Sequence, residues 1–200
     1  MSQIAPQRPP DQRSQLLESE RAALWAALDE LTDPEIPVVT LREMGILRDL
    51  RRGADGRVEV VITPTYSGCP AMDQIADDIT ATLAREGVAG RVVTQLAPAW
   101  TTDWMTPEAR NKLRDYGIAP PHTAACGPGE AVIQFAPKSG AGRADGSGAT
   151  DRFGMPTLPV ACPQCGSLNT TETSHFGSTA CKALYRCLDC MEPFDHFKRI

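Results

Sequence analysis

Two cysteine pairs near the C-terminus constrain the fold of this chain more than any other feature of its sequence. Cys162 and Cys165 form one C-x-x-C pair, and Cys187 and Cys190 form another, with 21 residues between the two pairs. Two thiolates three residues apart on a tight turn can face one ion, and two such turns complete a tetrahedral site. Gly166 suits the turn after the first pair. The pattern predicts a zinc ribbon.

The predicted metal site has a structural role. Four thiolates leave no open coordination position for a substrate. A unit of roughly 40 residues buries little core, so the metal should provide most of its folding free energy. Zn²⁺ is the expected ion, and iron is compatible with the same cage of thiolates. The alternative, two unrelated redox dithiols, fits the spacing less well.

Of the three remaining cysteines, Cys181 lies within the ribbon sequence and Cys126 in the linker before it. Cys181 is predicted to be a small buried residue beneath the ribbon rather than a fifth ligand. Cys126 stands in loop sequence near His122, where a spare thiol and an accessory ligand both stay open. His175 and His196 flank the metal pattern, and we expect them at the surface or rim because four cysteines already complete the site.

Composition and charge limit the class of protein. Hydrophobic residues make up 42% of the chain and charged residues 22%, which is typical of a soluble globular protein. The net charge of -5 disfavours a nucleic-acid partner. No stretch approaches the roughly 20 apolar residues of a membrane span, and the N-terminus lacks the apolar core of a secretory signal. We therefore expect a cytoplasmic protein, without a membrane partner, whose seven cysteines are reduced.

Hydrophobic periodicity predicts an α+β domain ahead of the ribbon. The expected elements are a helix over about 14–31, a β-hairpin over 46–63, a helix over about 71–85, a strand over 91–96 and a short helix opened by Thr106 and ended by Gly117. The stretch Val38–Leu41 fits either a short extended piece or one turn. The fold class is thus α+β, a small helix-covered sheet domain followed by a C-terminal zinc-ribbon domain.

The sequence divides into four segments. The predicted segments are a disordered arm over 1–13, the α+β domain over 14–118, a Gly/Pro/Ala-rich linker over 119–155 and the zinc ribbon over 156–200. The linker has room for one short strand, at Ala131–Phe135, and its Gly, Ser and Ala content over 138–151 favours a flexible chain.

Cys69 lies in TYSGCPAM, residues 65–72, where the predicted hairpin gives way to a helix. A helix N-terminus favours a thiolate, and a free cysteine is also often a plain buried residue, so local physics leaves the two interpretations balanced. No histidine base stands near Cys69 in the sequence, which makes a self-sufficient enzyme the weakest interpretation. Asp33 and Glu35 can be read plainly as a turn cap and a solvated first-turn acid.

Four stretches carry a resemblance to a known family. DPEIPVVTLREMGILRDL and TPTYSGCPAM resemble the small α+β domains tied to iron–sulfur cluster assembly, whose bacterial members include SufT. QLAPAWTTDWMTPEARNKLRDYGIAPP and FGSTACKALYRCLDCMEPFDHFK resemble one branch, the PaaD subunits associated with phenylacetyl-CoA 1,2-epoxidase. The resemblance covers nearly all of residues 20–200 apart from the linker. The long Gly/Ala/Ser stretch 137–151 departs from it and leaves the relative placement of the two domains open.

The resemblance implies roles for particular residues. It places the family's acidic motif on Asp33 and Glu35 and its reactive cysteine on Cys69, and the ribbon ligands fall on Cys162, Cys165, Cys187 and Cys190. Cys69 would then handle a transient iron ion or iron–sulfur cluster.

The resemblance also implies a function in aerobic phenylacetate catabolism. The expected role is that of an accessory protein that assists iron–sulfur cluster maturation or insertion into the reductase component, while separate chains perform the oxygenation. The alternative is a non-catalytic structural or binding subunit of the oxygenase complex. In both cases the epoxidase subunits, especially the iron–sulfur reductase, are the expected partners, and the oligomeric state is left open.

Overall fold

The computed structural model describes residues 16, 18–66, 68–122 and 159–200. The predictions for the arm over 1–13, for Cys126 and for the strand at 131–135 lie outside the described residues. In chain order the elements are α1 (Glu18–Leu28), β1 (Leu47–Arg52), β2 (Val58–Ile62), α2 (Ala71–Arg85), β3 (Gly90–Thr94), a 3-10 turn (Thr102–Trp104), α3 (Pro107–Asp115), β4 (Ile118–Ala119), β5 (Thr170–Ser174), β6 (Lys182–Cys187) and β7 (Pro193–Phe197).

The first sheet confirms the predicted hairpin and adds a parallel strand. Its order is β1-β2-β3, with β1 antiparallel and β3 parallel to β2. The central strand β2 is buried along its whole length. Helix α2 connects β2 to β3 and buries Ile75, Ile79 and Leu83, whose spacing of four residues places them on one helix face. The α+β prediction is therefore confirmed. None of the described helices is long and apolar enough to cross a membrane.

The second sheet joins residues on both sides of the predicted linker. Its order is β4-β7-β6-β5, and the two-residue strand β4 pairs in parallel with β7. Neither β4 nor β7 was predicted, because two residues carry no periodicity and because β7 begins at Pro193, a residue that usually marks a strand end. Within the ribbon, β5 and β6 pair as antiparallel strands.

The two units share one hydrophobic core. Phe197 of β7 and Cys181, just before β6, are buried in the same cluster as the first domain's apolar side chains. The ring of Phe197 lies 6.0 Å from that of Trp100, centroid to centroid. The backbone N–H of Thr102 donates to the carbonyl oxygen of Ile200 at 3.2 Å. A smaller cluster around Phe194 fills the ribbon itself. The C-terminal strand is thus part of the first domain's core.

Gly45 permits a close approach between two backbone segments. Its φ is +72°, and a Cβ added there would lie 2.7 Å from the Cβ of Trp104 and 2.9 Å from the Trp104 carbonyl oxygen. We predict that Gly45→Ala lowers the free energy of unfolding by about 2–5 kcal/mol, combining left-handed strain with overpacking. The matched control is Gly56→Ala, where φ is +81° and no atom lies within 4 Å of the added Cβ.

The control should lose only the backbone term, about 1–2 kcal/mol. Guanidinium unfolding of the three proteins measures both values. Equal losses at the two positions would show that the contact with Trp104 relaxes at no cost.

Candidate metal centre and cysteine cluster

The backbone of the ribbon brings the two C-x-x-C pairs into tight turns. After the first pair, the N–H of Gly166 donates to the carbonyl of Cys162 at 2.9 Å, and Gly166 adopts the left-handed φ of +75° that this turn requires. After the second pair, the N–H of Cys187 donates to the carbonyl of Glu192 at 3.0 Å. Asp189 connects the turns, since one carboxylate oxygen accepts from the side-chain amide of Asn169 at 2.7 Å.

The four ribbon cysteines form a metal-binding cluster of the right size for zinc. All four sulfur atoms lie within 4.8 Å of one another. The Cys162–Cys190 and Cys165–Cys187 sulfur pairs are separated by 3.7 and 3.6 Å. A tetrahedral ion with zinc–sulfur bonds of about 2.3 Å would place its ligands about 3.8 Å apart. Within the cluster the hydrogen bond from the N–H of Cys190 helps to lower the pKa of Cys187 to about 7, whereas, against the backbone hydrogen bond at Glu192, burial and the neighbouring thiols raise the pKa of Cys190 to about 12. A bound cation would favour the thiolate form of all four.

Cys69 lies at the strand-to-helix turn, one residue before Pro70, which is the N-cap residue of α2. It is half-buried and packs against the main core. Burial raises the pKa of the Cys69 thiol, a hydrogen bond from the N–H of Ala71 lowers it, and the charge of Glu35 raises it again. Desolvation thus outweighs the backbone hydrogen bond at the helix end, so the net effect of the site is to raise the pKa of the Cys69 thiol.

Asp33 and Glu35, the acidic pair singled out in the sequence, have different environments. Asp33 caps a turn, as its plain interpretation predicts, since its Oδ1 accepts from the N–H groups of Glu35 and Ile36 at 2.8 and 3.0 Å. Glu35 is only partly exposed to solvent. Burial raises the pKa of Glu35 and the charge of Asp33 raises it further, while Lys182 and the hydroxyl of Thr179 oppose the rise. Glu35 thus faces residues of the ribbon.

The ribbon contributes a second thiol to this region. Cys181 is buried, as expected, but it packs in the main core rather than beneath its own ribbon. Burial raises the pKa of Cys181 and the charges of Glu35 and Asp33 add to the rise, while the charge of Cys181 is one of the smaller contributions that raise the pKa of Cys69.

Sequence reasoning missed the electrostatic influence of Cys181 on Cys69. More than a hundred residues separate them, and no local pattern links them. The one hint in the sequence was that Cys181 lies between the two C-x-x-C pairs without belonging to either of them.

His196 is buried, and the prediction of a surface or rim position is wrong for it, whereas His175 is exposed. Strand β7 carries His196 inward beside β4, where its Nδ1 lies 3.2 Å from the carbonyl oxygen of Ala119 and donates to it. Burial lowers the pKa of His196 to about 4, the Ala119 carbonyl opposes this, and the charge of His122 adds to it.

This burial predicts an acid-sensitive stability. The unfolded chain takes up a proton at His196 as the pH falls through 6.5, whereas the folded protein resists until about pH 4. The stabilising contribution is therefore complete above pH 6.5 and falls as the pH drops, by about 2 kcal/mol at pH 5. Free energies of unfolding measured between pH 7.5 and 5 should decline less steeply in His196→Asn. His175→Asn should keep the wild-type slope, and a wild-type slope in His196→Asn would contradict the prediction.

The fold and these sites define a class of protein. Residues 21–95 match the family model described as an iron-sulfur cluster assembly protein, and residues 147–198 match the model of the PaaD zinc beta ribbon domain. The first match contains the turn of Cys69 and the second contains all four ribbon cysteines. The chain is an assembly-type α+β domain joined to a zinc ribbon.

Similarity over nearly the whole length then gives the family. The chain is 44% identical over 178 residues, 88% of this chain and 92% of the relative, to a subunit of the "Putative 1,2-phenylacetyl-CoA epoxidase" of Escherichia coli (strain K12). The chain belongs to the PaaD family. Its first domain alone is 37% identical over 83 residues to an "Fe-S protein maturation auxiliary factor" of Porphyromonas gingivalis, covering 40% of this chain and 78% of that protein. It is also 30% identical over 92 residues to the "Fe-S protein maturation auxiliary factor YitW" of Bacillus subtilis, covering 45% of this chain and 89% of that protein.

Proposed function

We propose that this protein is an accessory factor of a phenylacetyl-CoA epoxidase that assists iron–sulfur cluster maturation or insertion into the reductase component. The observation that carries the proposal is the placement of Cys69. It is a half-buried thiol beside Glu35, in a domain that resembles iron–sulfur maturation factors and separate from the ribbon's metal cluster. The similarity to an epoxidase subunit over most of the chain supports an epoxidase component as the protein that receives the cluster.

The chemistry of the two cysteine sites suits different roles. The ribbon offers four thiolates and no open position, so we propose that it holds a structural Zn²⁺. Cys69 offers one thiol that is protonated in the free protein, and an incoming iron ion would displace that proton. Glu35 and Asp33 keep a negative charge beside it, which favours a cation. Cys69 therefore serves as a holding point from which a cargo can leave.

The test is the iron–sulfur content of the client. We expect co-expression of the epoxidase subunits with Cys69→Ser to reduce iron and acid-labile sulfide in the reductase roughly tenfold, because a thiol ligand is at least as important as an outer-shell partner. Met72→Ser changes a partly buried side chain in the first turn of the neighbouring helix α2 without removing a thiol and is the matched control. Normal loading and normal epoxidation with Cys69→Ser would overturn the proposal.

A second candidate function is that of a binding subunit without chemistry of its own. The ribbon turns present exposed apolar side chains at Leu168, Leu188 and Met191, which favour a protein partner. This function predicts stoichiometric co-purification with the epoxidase subunits. A complex that lacks this chain but turns over normally with preloaded cofactors would eliminate it and favour the maturation role.

A further inference from the structure

A cavity of about 380 Å³ opens between the first domain and the ribbon. Helix α3 supplies Arg110 and Arg114 to its wall, the segment after β4 supplies His122, and the first ribbon turn supplies Cys162. The volume lies within the range of about 300–1,000 Å³ that is usual for small-molecule sites. The described residues that line the cavity do not include Cys69, so it is a separate candidate site.

Two arginines form the basic side of the cavity. Arg110 and Arg114 are four residues apart on α3, so they lie on one face of the helix. The terminal nitrogens of Arg110 donate to the carbonyl oxygens of Met105 and Thr102 at 3.2 and 2.6 Å, which fixes this side chain. Arg114 is exposed and makes a long hydrogen bond, of 3.4 Å, to the side chain of Asn111. Within the described part of the chain, neither arginine pairs with a carboxylate.

Two residues of the cavity wall each have a buried nitrogen without a hydrogen-bond partner among the described residues. They are Arg110, at Nε, and His122, at Nε2. A buried polar atom that stays unpaired costs free energy, so such atoms commonly mark the place of a bound water or ion. The Nε–H of an arginine is always a donor, and a histidine ring can present an N–H at Nε2. The cavity therefore suits a ligand that accepts hydrogen bonds.

The charge of the cavity wall favours an anion. The described lining residues include two arginines and no aspartate or glutamate, although the whole chain has a net charge of -5. A carboxylate has two oxygen atoms in one plane, which a single arginine fork can satisfy. A phosphate group presents at least three acceptor oxygens in different directions, and so matches donors that come from α3 and from His122. Pro120, Pro121 and Pro163 add an apolar wall for an organic substituent.

We propose that this cavity binds a phosphate group, either as free phosphate or as the phosphate of a small ester, through Arg110, Arg114 and His122. The buried nitrogens of Arg110 and His122 donate to phosphate oxygens, and Arg114 adds a positive charge from the exposed side. Binding is reversible and forms no covalent bond. Because both α3 and the first ribbon turn line the cavity, the ligand stabilises the junction of the two units. The site does not depend on the role proposed for Cys69.

The experiment uses the full chain with zinc in the ribbon, in a buffer without phosphate. Titration calorimetry and Tm measure the binding of inorganic phosphate, adenosine monophosphate and adenosine at constant ionic strength, so that salt screening is the same throughout. We expect both phosphate-bearing compounds to bind and to raise Tm, and adenosine to do neither. Arg114→Gln should weaken their binding about 10–100-fold, because hydrogen bonds between charged groups are lost. Arg85→Gln removes another exposed arginine, at the end of α2, and is the matched control.

The outcomes also separate the two sources of phosphate. Tighter binding of adenosine monophosphate supports an ester as the ligand, whereas equal or tighter binding of inorganic phosphate supports the free ion. Failure of both compounds to bind, equal binding of adenosine, or wild-type affinity in Arg114→Gln would overturn the inference and leave the proposed function standing. A measurement on the wild type needs no variant to fold, since phosphate should shift the NMR resonance of the Arg110 Nε–H. An unchanged resonance at saturating phosphate would contradict the site.

Discussion

Replacing Cys187 by serine should destabilise the whole chain and not only the ribbon. Cys187 is fully buried at the end of β6 and is one of the four sulfurs of the metal-binding cluster. Structural zinc contributes about 10–16 kcal/mol to the folding of small domains, and the ribbon has only a small core of its own. Because Cys181 and Phe197 are buried in the first domain's core, an unfolded ribbon would uncover that core too.

The expected result is a loss of bound zinc together with a single, strongly lowered thermal transition. Calorimetry and zinc analysis measure the two quantities, and a strong chelator should reproduce the effect in the wild type. Leu188→Ser is the matched control, since Leu188 occupies the same turn but is exposed. Two separate transitions, with the upper one unchanged in Cys187→Ser, would show that the first domain does not depend on the ribbon.

Phe197→Ala should strongly destabilise the protein, at a position away from the metal-binding cluster. Phe197 is 1% exposed, and its ring packs near Trp100. Removing a buried phenylalanine costs about 3–5 kcal/mol, because transfer free energy is lost and a cavity is left. In a chain of this size, that corresponds to a fall in Tm of roughly 6–20 °C.

The matched control lies on the same ribbon. Phe176 is 65% exposed and its ring lies under the ammonium group of Lys198, so Phe176→Ala should cost no more than about 1 kcal/mol. Chemical unfolding of both variants, with zinc content checked, gives the comparison. Similar losses for the two phenylalanines would mean that β7 is not part of the shared core in solution.

Wherever a pattern was local, the sequence predicted the structure well. Helix α2 has the predicted bounds, Thr106 caps α3 with its side chain, and the hairpin joins β1 to β2. Each of these depends on apolar spacing, a cap or a turn within a few residues of chain. The two C-x-x-C pairs predicted the metal-binding cluster for the same reason, since each pair needs only one tight turn.

Contacts between segments that are distant in the chain could not be predicted from the sequence. Strand β4 has two residues and forms only because β7 pairs with it, and His196 is buried only because β7 lies against β4. The direction of the pKa shift at Cys69 could not be read from the sequence, because a helix end can be recognised locally, whereas the burial that opposes it depends on the whole fold.

Sequence alone determined that this chain has a helix-covered sheet, a four-cysteine ribbon and an unassigned cysteine at a strand-to-helix turn. These features follow from residues close together in the chain. The tertiary structure decided what surrounds that cysteine. The ribbon packs into the first domain's core, so that Cys181 is buried in the same hydrophobic cluster against which Cys69 packs. The physical reason is that burial of Phe197 and Cys181 and the pairing of β4 with β7 act between segments separated by tens of residues, where no sequence period records them.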